Sequence, residues 1–149
     1  MKVHMNEFVV DSSVFLSLML REEDSHKSTK KAWEYVSNMP QGVILFPRLV
    51  VLEMSNRYHQ LSGSILHMNH IHEIIESMGG AFQMDMDDEL HEVANELIPK
   101  LSLKTSDLII VAHAKLAGAT LLTWDKRMIR EASKAVKVIT PEEVLSISS

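Results

Sequence analysis

The chain has no cysteine, and that one absence removes disulfides, thiolate zinc sites and cysteine nucleophiles together, as suits a reducing cytoplasm. Positive charge is also short. Fifteen Lys and Arg against 20 Asp and Glu leave a net charge of −5, which argues against holding nucleic acid by bulk positive charge alone. No apolar run is long enough to span a bilayer, so no membrane role is expected. The start, Met1 to Glu7, lacks the basic and apolar regions of a signal peptide. Neither GxxxxGK[ST] nor GxGxxG occurs, which argues against nucleotide-driven chemistry. With five glycines and four prolines there is no repeat, linker or low-complexity segment. What is present is ordinary globular usage, 46% hydrophobic and 23% charged, in 149 residues. That length favours a single domain over residues 1–149, burying roughly two-thirds of its unfolded surface.

Strands alternate with helices along the chain. Phe8 to Val10 reads as a strand ending at Asp11, followed by a helix over Val14 to Leu20 and another over Ser25 to Met39. Val43 to Phe46 is a buried strand, and Pro47 is expected to open the next helix, which runs to about Ser62-Gly63. A helix from Ile65 to Met78, a short strand at Ala81 to Met84 and an acidic helix start at Asp85 to Glu89 follow. The most apolar helix begins at Thr105-Ser106-Asp107 and stops at Gly118. Ala119 to Thr123 and Val136 to Ile139 read as strands around a helix from Lys126 to Lys134, and Pro141-Glu142-Glu143 starts a last helical turn. This alternation implies an α/β fold with a central parallel sheet covered by helices on both faces, and a site at the carboxyl ends of the strands.

Four carboxylates stand out. Asp11 and Asp125 directly follow apolar strands, Asp107 lies at a helix start, and Glu53 sits in a helix stripe with Leu49, Leu52 and Asn56. Each has an ordinary reading: the three aspartates as helix caps, Glu53 as the i,i+4 partner of Arg57. The set says more than its members, because residues just past parallel strands gather along one sheet edge. Carboxylates packed there repel one another and raise their own pKa values unless a divalent cation sits among them. Oxygen ligands without thiolate favour Mg²⁺ or Mn²⁺, ions that activate water and offset charge in phosphodiester hydrolysis. Two such ions would take the charge from −5 to about −1, so the global sign does not exclude a polyanion.

Val9-Val10-Asp11-Ser12-Ser13-Val14, Pro47 to Arg57 around Glu53, Ser106-Asp107-Leu108-Ile109, Gly118 to Arg127 and Val138 to Leu145 together resemble a PIN domain, with the VapC-like prokaryotic toxins as the nearest group. The resemblance covers nearly the whole chain. It implies a metal-dependent endoribonuclease whose metal-holding acidic positions fall on Asp11, Glu53, Asp107 and Asp125, with Ser13 and Thr123 as supporting hydroxyls and Mg²⁺ or Mn²⁺ as cofactor. It further implies an RNA substrate cut to 5′-phosphate and 3′-hydroxyl ends, a small antitoxin protein that blocks the site, and a homodimer. Lys104, Lys126, Arg127 and Arg130 lie close in sequence to the acidic edge and are candidates for holding the RNA backbone. Trp124 departs from the family pattern, where a smaller or more polar residue is usual, and the segment from Ser62 to Met84 follows no family pattern. An RNA-processing nuclease that is not a toxin, or a silent PIN-like binding module, would share much of this sequence.

Other constellations fall short. His67, His70 and His72 with Glu73 suggest a metal face on one helix but read better as solvated histidines. His91-Glu92-Val93-Ala94-Asn95 lacks the second histidine of a zincin. Asp85, Asp87 and Glu89 resemble a calcium loop only until Leu90, where glycine is needed. Haloacid-dehalogenase-type phosphatases need a second aspartate where this chain has Ser13. The ten methionines read as core filler.

Overall fold

The computed structural model describes residues 7–19, 24–62, 71–73, 75–76 and 81–148. Among them the chain runs β1 (Glu7–Val10), α1 (Ser12–Met19), α2 (His26–Ser37), β2 (Val43–Pro47), α3 (Arg48–Ser62), β3 (Ala81–Met84), α4 (Asp88–Leu97), α5 (Thr105–Ala117), β4 (Thr120–Leu122), α6 (Lys126–Ala132), β5 (Val138–Ile139) and α7 (Pro141–Ser148). Residues 71–73 and 75–76 are also helical; the rest of the helix expected over Ile65 to Met78, with His67 and His70, lies outside the described residues.

All pairings are parallel, and the five strands lie in the order β3-β2-β1-β4-β5. Parallel strands need crossovers and are buried on both faces, which is why the central ones read as unbroken apolar runs. Val9, Val10, Phe46, Leu121 and Leu122 are fully buried, and α1, α3 and α5 add Phe15, Met54, Ile110 and Val111 to the same core. Phe15 meets Trp33 and Phe46 edge-on at 6.1 Å. The helix α2 packs on α7, and α4 on α5. The chain reverses direction across the sheet between β1 and β4, so a crevice opens at the carboxyl ends of these two strands.

Local signals explain several boundaries. Gly118 takes the left-handed conformation, φ 64°, and its N–H closes the end of α5 on the Lys115 carbonyl. Asp87 caps α4 by accepting from Leu90 N at 2.9 Å, so the acidic run is a helix start. Three expectations need correction. Pro47 ends β2 instead of opening a helix: the β1 ladder reaches only Leu45, and Pro47 pairs with Met84 on β3, so its missing N–H removes nothing from the β1 side. The strand expected from Val136 shrinks to Val138–Ile139, because Val136 N is already bonded to the Ala132 carbonyl at the end of α6. The last helical turn expected after Pro141 extends over eight residues.

Candidate active site

Asp11 leaves β1 at the crevice and is 4% exposed. Its Oδ2 accepts the Ser13 hydroxyl at 2.7 Å and the Thr123 hydroxyl at 2.8 Å, with a longer approach from Ser13 N at 3.4 Å. Each hydroxyl has one hydrogen and spends it on Asp11, so the 3.2 Å approach between Ser13 Oγ and Thr123 Oγ1 is a contact of two acceptors. Those acceptors are used in turn: Ser13 Oγ receives Trp124 N at 3.0 Å, and Thr123 Oγ1 receives Asp125 N at 3.0 Å. The carboxyl ends of β1 and β4 are thereby tied through one carboxylate oxygen. Asp11 Oδ1 is left with no donor among the described residues.

Asp125 follows the same division. Its Oδ1 caps α6, accepting Arg127 N at 2.9 Å and Met128 N at 3.0 Å, while Oδ2 takes no hydrogen bond from the described residues. Asp107 does not cap its helix; the N-cap position is Lys104, and Asp107 stands inside the first turn of α5. Among the described residues Glu53 does not pair with Arg57, and its buried Oε1 has no hydrogen-bond partner. A buried acceptor without a partner is uncommon and costly.

The electrostatics link these groups. Burial pushes the Asp107 carboxyl up to about 6, with Asp11 and Asp125 adding repulsion and Lys104 and Arg127 opposing it. Glu53 is raised as well, by burial first and then by Asp11 and Asp107, with Lys104 again opposing. Asp107 is thus repelled by Asp11 and Asp125, and Glu53 by Asp11 and Asp107. They do not form a closed cage: among the described residues no three acidic or histidine side chains stand at metal-holding spacing. The two observations concern different ranges, since Coulomb coupling at a half-buried site acts over several ångströms while Mg²⁺ ligation needs oxygens at about 2.1 Å. The donor set is all oxygen, and of the four carboxylates only Asp11 Oδ2 and Asp125 Oδ1 accept a hydrogen bond from the described residues, while Glu53 Oε1 is buried without a partner among them. Such a set fits a hard divalent cation.

A clamp that sequence reading missed sets the approach to α5. Glu131, 6% exposed on α6, accepts Ser102 N at 2.8 Å and holds Lys134 at 3.0 Å, while Arg127 Nε donates to Ser102 O at 3.2 Å. The Ser102 hydrogen bond, with Lys134, holds the Glu131 carboxyl below its ordinary value. Ser102 is thus gripped at both backbone groups just before Lys104 and Asp107. The only hint in the sequence was a glutamate on the inner side of a short helix. All four cations near the edge, Lys104, Lys126, Arg127 and Arg130, are exposed; Arg127 is bonded to Ser102 O and Arg130 pairs with Glu131 at 3.7 Å. Beside Glu53 a cavity of about 420 Å³ is lined by Leu52, Asn56 and His59. A second cavity, lined by Phe8, Tyr35, Thr120 and Val144, lies at the opposite end of the strands. His72 is exposed on its helical segment, and no described residues join it in a metal site.

A parallel sheet in this order, with an acidic crevice at its switch point, defines an α/β domain with an edge site. The PIN domain family model matches residues 8–134, and the chain belongs to the PIN domain family. No curated protein sequence matches it. Among solved structures it is similar to VapC20 of Mycobacterium tuberculosis, a sarcin-ricin loop cleaving toxin, with TM-score 0.68 and 17% identity over 83% of this chain and 93% of that one. It is also similar to VapBC-1 of nontypeable Haemophilus influenzae, TM-score 0.71 and 15% identity over 91% and 98%. VapBC2 of Rickettsia felis, bound to a DNA fragment from its promoter, gives TM-score 0.67 and 18% identity over 90% and 98%. Among the described residues no helix is long and apolar enough to cross a membrane.

Proposed function

We propose that the protein is a Mg²⁺- or Mn²⁺-dependent endoribonuclease of the VapC-like kind, the toxin of a toxin–antitoxin pair. The observation that carries this reading is the buried Glu53 Oε1, without a hydrogen-bond partner among the described residues, on a carboxylate that Asp11 and Asp107 repel, a state that a divalent cation would relieve. Asp11, Glu53, Asp107 and Asp125 would hold the ion, directly or through water. When bound, the ion supplies Lewis acidity and an activated water for in-line attack at phosphorus.

The chain's own residues do the rest. Ser13 and Thr123 occupy Asp11 Oδ2 with two hydroxyl donors, which orients the carboxylate and keeps Oδ1 free. Capping of α6 does the same for Asp125. Lys104, whose charge opposes the rise at both Glu53 and Asp107, would meet a phosphate oxygen. Lys126 and Arg130 extend the exposed positive charge along the RNA backbone, and the −5 net charge makes that local patch decisive. The toxin–antitoxin complexes among the similar structures support a small antitoxin partner, and we extend the reading to a homodimer acting in the cytoplasm.

The test is RNA cleavage by purified protein. Cleavage is expected with Mg²⁺ or Mn²⁺ and none in excess EDTA, and Asp107→Asn should abolish it while the protein stays folded by circular dichroism. Full activity in EDTA, or undiminished cleavage by Asp107→Asn, overturns the reading. Neutralisation by a small protein encoded beside the gene separates a toxin from an RNA-processing nuclease.

A further inference from the structure

Trp124, the residue that departs from the family pattern, is bonded at both ends. Its backbone N–H donates to Ser13 Oγ at 3.0 Å, one step from Asp11, and its indole Nε1–H donates to Thr29 Oγ1 on α2 at 2.7 Å. Thr29 is fully buried, and its hydroxyl hydrogen goes to the Ser25 carbonyl at 2.9 Å. Its two lone pairs therefore receive Trp124 and Ser17, whose Oγ lies at 2.8 Å. Ser17 Oγ, its hydrogen spent on Thr29, accepts in turn from Ser25 Oγ at 2.6 Å. The hydroxyls form a closed ring, Ser25 to Ser17 to Thr29 and back to the Ser25 carbonyl, and the indole N–H fills its last acceptor. His26 Nδ1 adds a bond to the Ser17 carbonyl at 2.9 Å. Ser25 occupies the N-cap position of α2 with a helical backbone and makes no capping bond; its hydroxyl hydrogen goes to the ring.

We propose that Trp124 is a positioning residue: by locking its indole into the hydroxyl ring of α1 and α2, it fixes the Thr123–Asp125 segment against Asp11 and sets the alignment of the carboxylate edge. The proposal rests on the ribonuclease reading for its catalytic consequence. Its structural half stands apart from that reading. Without the indole bond, the segment after Leu122 would be held to β1 by the Ser13 and Thr123 hydroxyls, beyond the point where the backbone ladder ends with Asp11 N donating to the Leu122 carbonyl at 3.0 Å. With the indole anchored, α1, α2, β1 and β4 share one polar frame.

The test uses Thr29→Val, which keeps side-chain shape and removes the acceptor, with Trp124→Phe, which removes the donor, and Thr29→Ser, which keeps the hydroxyl. Hydrogen exchange by NMR reads the amides of Trp124 and Asp125, which donate to Ser13 and Thr123, and the two indole N–H signals of Trp33 and Trp124. Thr29→Val is expected to speed exchange at the Trp124 indole and at both amides, with the Leu90 amide in the α4 cap unchanged, and Thr29→Ser to restore them. In RNA cleavage, Thr29→Val and Trp124→Phe should each lower kcat on the order of tenfold with KM within about twofold, the size expected for one lost buried hydrogen bond. Unchanged amide exchange in Thr29→Val, or an unchanged kcat in an active enzyme, overturns the proposal. Faster exchange together with a wild-type protein that cuts no RNA supports the linkage and refutes the ribonuclease reading instead.

Discussion

Asp107→Asn should make the metal-free protein more stable while destroying its activity. The Asp107 carboxyl is pushed from 3.8 up to about 6 by burial and by Asp11 and Asp125, with Lys104 and Arg127 opposing. A raised carboxyl binds more protons folded than unfolded between those values, so stability falls as pH rises through that window and stays reduced above it. A shift of roughly two units corresponds to about 3 kcal/mol for a fully buried group. Asp107 is only half-buried, and solvent screening brings the expected gain down to about 1 kcal/mol. For a domain of this size that is roughly 2–4 °C in Tm. Thermal unfolding by calorimetry in EDTA, from pH 4 to pH 7.5, checks it. The variant should match wild type at pH 4, gain on it through pH 6, and lead by a constant margin above. A variant less stable than wild type at pH 7, or a margin independent of pH, would refute the reasoning that the site is a reservoir of like-charge repulsion.

Glu131→Gln should lower Tm at pH 7, since it weakens the hold on Ser102 and Lys134; the depressed carboxyl places that contribution above the unfolded carboxylate range, so the deficit must shrink as pH falls below about 4. The same variant should reduce cleavage through the loop that carries Lys104. Gly118→Ala should cost about 1 kcal/mol from its φ of 64° alone, since an added Cβ meets nothing within 4 Å, and cleavage should be unchanged. A melting temperature equal to wild type would contradict that assignment. Leu121→Ala, which empties a fully buried position in β4, should cost about 2–5 kcal/mol by chemical denaturation.

The carboxylate edge was legible because parallel strands end on one side: placing Asp11 and Asp125 after apolar runs was enough to bring them to the β1 and β4 ends. Gly118 and Asp87 were legible because a helix stop and a helix cap are local chemistry. Pro47 misled, since its φ suits a first helical turn and the strand end equally, and only the stagger of β1 against β2 decides. Asp107 looked like a cap by residue type, but the helix begins two residues earlier at Thr105, with Lys104 in the N-cap position. The Trp124 linkage could not be read, because Thr29 lies 95 residues away and its ring is made of serines and a threonine that carry no pattern of their own. At Asp125 the ordinary reading and the proposed one are compatible, one oxygen capping a helix and the other taking no hydrogen bond from the described residues.

Mn²⁺ titration of the purified protein, followed by electron paramagnetic resonance, tests the central claim most directly. Saturable Mn²⁺ binding is predicted for the wild type, displaced by Mg²⁺ and weakened at least tenfold by Asp11→Asn, Glu53→Gln or Asp107→Asn. Equal binding by the wild type and all three variants would contradict a metal site at this edge.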